Sequence, residues 1–72
     1  MTGRNVRYII RIGNQYAYYS QRLNNGKHML IMTQYRYDAG YVCELWKARR
    51  ICRKIGGVII AFDPISGNAM EA

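Results

Sequence analysis

Seventy-two residues allow one domain with a thin core, since a chain of this size buries only about 60% of the surface its unfolded form exposes. Eleven Lys and Arg against four Asp and Glu give a net charge of +7, which predicts a field that draws polyanions or acidic protein surfaces, or simply a solvated coat. No run approaches the ~20 apolar residues of a membrane span, and the first residues lack the apolar segment of a secretory signal, so a cytosolic protein is expected.

Val6 to Ile12 alternates, with Val6, Tyr8, Ile10 and Ile12 on one face and Arg7, Ile9 and Arg11 on the other, the pattern of a half-buried strand. Gly13-Asn14 offers the positive φ angles of a tight hairpin. A second strand from Gln15 to Gln21 follows, with Tyr16, Tyr18 and Tyr19 in it. Asn24-Asn25-Gly26 marks another turn, and Lys27 to Gln34 reads as a third strand despite its Leu and Met. Gln34 to Val42 has no period and is expected to be an aromatic-rich loop.

A helix is predicted over 44 to 55, with Glu44 in its first turn, Arg53 and Lys54 in its last, and Gly56 as the left-handed residue that ends it. Gly57 to Asp63, reading Val58-Ile59-Ile60-Ala61-Phe62, is almost wholly apolar and closes at Pro64, the mark of a buried last strand. Residues 65 to 72 are expected to fray as a flexible tail, which leaves one domain over 1 to 64. The order β-β-β-α-β predicts a single α+β domain with one helix on one face of a mostly antiparallel four-stranded sheet. Its third and last strands would be joined as a parallel pair by a right-handed crossover.

On that helix Leu45, Ala48, Ile51, Cys52 and Ile55 form a stripe about 120° wide, fit to seat on the sheet. Cys52 then reads as a small buried hydrophobe and Cys43 as a residue at the helix start. About 13 Å of helical rise would keep the two from bridging. Opposite the stripe stand Trp46, Arg49, Arg50 and Arg53, at i, i+3, i+4 and i+7, flanked by Lys47 and Lys54. A ring among guanidinium groups can stack on a base or fill a partner's pocket while the cations pair with phosphates or carboxylates. Alternatively, the loop Tyr35-Arg36-Tyr37 folds over the first helical turn and buries Trp46 locally.

One helix covers one sheet face, so the other is expected to be open. Arg7, Ile9 and Arg11 would lie there beside either Tyr16 and Tyr18 or Ala17 and Tyr19, with Ile59 and Ala61 as further candidates. Arg7, Arg11, Tyr16, Tyr18 and Tyr19 thus form a second candidate surface, suited to stacking on single-stranded nucleic acid, while exposed Ile9 and Ile59 would suit a homodimer seam. Catalysis is not indicated. His28 is the sole histidine, and nothing in the sequence gathers Cys43, His28 and Asp38 or pairs the carboxylates of Asp38, Glu44, Asp63 and Glu71. No zinc spacing or phosphate loop is present, so no metal or cofactor is expected.

The run Tyr8-Ile9-Ile10-Arg11-Ile12, then Tyr18-Tyr19-Ser20, then Ala39 and Tyr41 ahead of a helix with Ala48 and Ile51, then Ile55-Gly56-Gly57-Val58-Ile59-Ile60, resembles small accessory proteins of phages and prophages. The resemblance spans residues 6 to 62. The chain departs from the usual pattern in carrying Cys43 where a Ser or Thr cap is common, and Arg where Glu is frequent. It implies a phage-encoded protein in the cytoplasm of a bacterial host, of a kind that includes anti-CRISPR and anti-restriction inhibitors and modulators of transcription. It assigns no functional residues.

Three functions are therefore expected in competition. The first is a non-enzymatic binding protein that docks the Trp46, Lys47, Arg49, Arg50, Arg53 and Lys54 face on nucleic acid or a host nucleoprotein complex. The second is an inhibitor that meets an acidic protein surface with the same face, and the third a homo-oligomer formed through the open sheet.

Overall fold

The computed structural model describes residues 6–72 and, at Tyr19, the backbone. The first five residues, which the sequence reading includes in the domain, lie outside the described residues. The described residues form five strands and one helix: β1 (Arg7–Ile12), β2 (Gln15–Arg22), β3 (His28–Thr33), α1 (Leu45–Ile55), β4 (Val58–Phe62) and β5 (Ala69–Glu71). They form a single α+β domain, as the sequence pattern predicts, around one antiparallel sheet of order β3-β2-β1-β4-β5.

The β1–β2 hairpin closes tightly, with Ile12 opposite Gln15. Gly13 takes φ 64° and no described residue other than glycine has a positive φ, so Gly13 alone, and not Asn14, provides the left-handed step. The second turn also rests on a glycine, Gly26, with the Leu23 amide donating to the Lys27 carbonyl at 2.7 Å.

Two strand expectations need correction. β3 and β4 are not a parallel pair: β4 lies beyond β1 and pairs with it antiparallel, Ile9 opposite Ile60 and Arg11 opposite Val58. β3 ends level with the hairpin, where Thr33 faces Tyr16, but the chain then runs back on its own to bridge Val42 with Tyr8 before α1 begins. With the return already made by residues 34–42, α1 carries the chain forward again, and β4 must run opposite to β3. The tail, secondly, does not fray as a whole. Asp63 accepts from the amides of Ile65 (2.9 Å) and Ser66 (3.4 Å), the Gly67 amide donates to the Asp63 carbonyl (2.8 Å), and residues 69–71 pair with β4 as a fifth strand.

Cross-strand partners share a face, so Arg7, Ile9 and Arg11 lie with Phe62, Ile60, Val58 and Tyr16, while Tyr8 and Ile10 lie with Ala61 and Ile59. The helix sits on the Tyr8–Ile10 side, packed on β1 and β4, with Ala48 fully buried. The face opposite it is not open. Residues 35–40 cross it and, with the sheet, bury Ile9 (0% exposed), Ala39, Ile60 and Phe62 (0%). Tyr37 meets Phe62 edge-on at 4.9 Å between ring centres, and the Arg36 guanidinium stands 5.4 Å over the same ring.

The segment then wedges between β1 and β2. Gly40 donates to the Ala17 carbonyl (3.0 Å), and Val42 and Tyr8 exchange both backbone hydrogen bonds (2.9 and 3.1 Å). Any side chain at Gly40 would collide with the Tyr18 carbonyl oxygen. Phe62→Ala is expected to cost about 4 kcal/mol through the cavity it leaves, and Gly40→Ala about 2 kcal/mol through the forced separation of the strands. Urea unfolding followed by circular dichroism measures both.

Candidate binding site

α1 starts without a side-chain cap. Glu44 occupies the N-cap position, outside the first turn where the sequence places it, and no acidic residue lies in that turn. The other end agrees better with expectation. Arg53 and Lys54 lie in the last turn, where the carbonyl ends favour cations, and Gly56 stops the helix at φ 80° and ψ −170°, a positive φ but an extended ψ. Cys52 is half-buried with its thiol 3.2 Å from the Gly57 carbonyl oxygen, and both cysteines are free.

Opposite the buried Ala48, the structure brings together the six helix residues that the wheel selects. Trp46, Lys47, Arg49, Arg50, Arg53 and Lys54 are all exposed. Trp46 is 56% exposed and is not covered by the loop of Tyr35-Arg36-Tyr37, whose Arg36 and Tyr37 lie against Phe62 on the far side of the sheet. Its indole Nε1 donates to Glu44 Oε2 at 2.8 Å, and the Lys47 ammonium reaches Glu44 Oε1 at 3.1 Å and stands 5.6 Å from the Trp46 ring centre. These bonds, the indole's first and then the ammonium's, hold the Glu44 carboxyl below its usual titration range.

Among the described residues Glu44 is the only carboxylate engaged by the helix cations. No ion pair joins Arg49, Arg50, Arg53 or Lys54 to another described residue. Yet Arg49 and Arg53, Arg50 and Lys54, and Lys47 and Arg50 are helical neighbours of like charge, each pair costing about 0.2–0.5 kcal/mol.

The second candidate surface is not assembled. Arg7, Arg11 and Tyr16 share the face away from the helix, but Arg7 stacks on Tyr41 at 4.3 Å and Tyr16 packs against the Ile9 core. A register shift between Ala17 and Tyr19 turns Tyr18 to the helix side, and Tyr19 stands opposite Ile31 in the ladder. Ile59 and Ala61 also lie on the helix side, and Ile9 is buried, so the Ile9–Ile59 seam does not exist.

A feature that sequence reasoning missed lies beside α1. Because the helix covers only β1 and β4, an apolar groove of about 410 Å³ opens over β1, β2 and β3, lined among others by Tyr8, Ile10, Tyr18, Leu30, Ile51 and Ile55. Ser20 Oγ and His28 Nδ1 lie 3.4 Å apart on it. No hydrogen bond joins His28 to Cys43 or Asp38. Among the described residues no group of three or more His, Cys, Asp or Glu could hold a metal ion, and no helix is long and apolar enough to cross a membrane.

Comparison of the chain with protein-family models, with curated proteins and with solved structures finds no match. The site is therefore read from its own chemistry.

Because Trp46 is the sole tryptophan, its fluorescence reports on Glu44. Emission is expected to change as pH falls through a midpoint below the ordinary Glu value, when protonation ends the charge-assisted bonds. In Glu44→Gln that transition is expected to be absent.

Proposed function

We propose that this protein is a non-enzymatic nucleic-acid-binding protein whose contact surface is the outer face of α1. The observation that carries this reading is the cluster of Arg49, Arg50, Arg53 and Lys54, exposed on one helix with no carboxylate partner among the described residues. Arginine forks pair with phosphate oxygens in two parallel hydrogen bonds, and a series of them on a rigid helix tracks a regularly charged backbone better than isolated surface cations do. The like-charge pairs along the helix add to the argument, since phosphates between the guanidinium groups turn a repulsion within the free protein into an attraction within the complex.

Trp46 gives the face a second mode of contact. Its indole is held against Glu44 by one hydrogen bond and keeps more than half its surface in solvent, so a ring face remains available to stack on an unpaired base. Arg50 and Arg53, at i+4 and i+7 from it, would then pair with the phosphates on either side. An acidic protein surface could be met by the same cations, which makes it the competing outcome in the experiment.

The test is the salt dependence of binding to a short fluorescent DNA or RNA, single-stranded and duplex, from about 50 to 200 mM salt, with the slope of log K against log salt giving the number of phosphates neutralised. Replacing Arg49, Arg50 and Arg53 by Ala is expected to lower that slope on duplex by about 2.7. Trp46→Ala is expected to weaken single-strand binding by about 1–3 kcal/mol and to affect duplex binding less. Absence of binding at low salt, together with capture of an acidic protein that survives nuclease treatment, would sink this reading.

A further inference from the structure

The sheet order leaves two edges, β3 and β5. β5 is three residues long, whereas β3 has six, His28-Met29-Leu30-Ile31-Met32-Thr33, with no Lys, Arg, Asp, Glu or Pro among them. Natural sheets blunt a free edge with a charge, a proline, an outward bulge or a covering segment. β3 has none of these. Among the described residues its pairing is with β2 alone, its register shift faces inward to that strand, and no other backbone–backbone hydrogen bond reaches residues 28–33. Its outward amides and carbonyls are left without strand partners, and Met29 beside them is 45% exposed.

We infer that β3 pairs antiparallel, edge to edge, with β3 of a second copy of this chain, making one continuous ten-stranded sheet. The homo-oligomer expected from the sequence thus has its seam at the sheet edge and not on the sheet face. A twofold axis perpendicular to the sheet is the symmetry that extends it, and such an axis keeps each face on its own side. Facing residues must then point the same way, which admits only two central registers, Leu30 opposite Leu30 or Ile31 opposite Ile31. The first sets Leu30 of one groove against Leu30 of the other. The second pairs Leu30 with Met32 on the groove side and Ile31 with Ile31 behind.

Charge selects a second copy over other occupants. Nucleic acid or an acidic protein is drawn to the cations of α1, and an uncharged apolar strand offers them nothing. Two copies of a +7 chain repel wherever their basic faces meet, and this edge keeps them apart. α1 lies over β1 and β4, so the two helices stand about six strand spacings, ~29 Å, from each other, which is several Debye lengths at physiological salt. Arg22 and Lys27, at the turn end of β3, meet the Thr33 end of the partner strand and not each other.

The test is sedimentation equilibrium of nucleic-acid-free protein over about 1 to 200 µM, where mass action makes a dimer appear with concentration. The expected result is a rise from 8.4 kDa to twice that mass. The double variant Met29→Lys/Thr33→Lys sets like charges opposite one another or opposite Lys27 in one register or the other, and is expected to weaken association at least tenfold. In the wild type, amide exchange at residues 29–32 should slow as concentration rises, a readout that holds even where the variant does not fold. A monomer across the whole range overturns the inference, as does a dimer whose 29–32 amides exchange at a rate independent of concentration. None of these outcomes touches the nucleic-acid reading, which concerns the outer face of α1 over β1 and β4.

Discussion

The passage of residues 39–42 between β1 and β2 governs the rest of this fold. Hydrogen bonds from Gly40 to Ala17 and between Val42 and Tyr8 fill the edge of β1 that β2 leaves after its first residues, so two strands that begin as a tight hairpin diverge. Before the wedge the chain lies on one side of the sheet, with Tyr37 and Ala39 closing the core over Ile9 and Phe62. After it, α1 packs on the other side, with Ala48 buried. A chain with one helix thereby buries both faces of its central strand, which is how so short a sequence acquires a core at all.

The same wedge explains the surfaces. It returns the chain to the start of β1, so that α1 runs over β1 and β4, away from β3. The basic helix face and the uncharged β3 edge are consequently set apart along the strand order, and the apolar groove is the uncovered floor between them. Had β4 followed β3 as a parallel neighbour, the helix would have covered β3, and neither the groove nor the free edge would exist.

Local regularities were readable from residues alone. The alternation of β1, the glycine turns, the Leu45–Ala48–Ile55 stripe and the outward Trp46–Arg49–Arg50–Arg53 face each depend on a period of two or 3.6 within one element. What escaped depends on contacts between elements. Gly40 is required because the Tyr18 carbonyl approaches it, and nothing adjacent to Gly40 signals that. Counting along β2 leaves open whether Tyr16 and Tyr18 or Ala17 and Tyr19 share the face of Arg7 and Arg11, and the shift between Ala17 and Tyr19 defeats any such count. Asp63 does carry a local sign, an Asp-Pro-x-Ser-Gly turn whose carboxylate collects the next amides, but the small, polar composition of the residues beyond it points to fraying.

The helix face and the capping residue are linked through Glu44. A carboxylate at the start of a helix ordinarily serves the free amides there, but here it is turned outward to the Trp46 indole and the Lys47 ammonium. The helix forgoes a cap worth about 1 kcal/mol, and the indole gains a fixed orientation with one face in solvent. Lys47 is also the one helix cation neutralised within the described residues, which leaves the uncompensated charge on the Arg49–Arg50–Arg53–Lys54 side. The face is therefore graded, with a held aromatic and a paired lysine at its N-terminal end and free guanidinium groups along the rest. A linear polyanion laid along the axis meets stacking at one end and charge at the other, and that asymmetry gives the surface a direction.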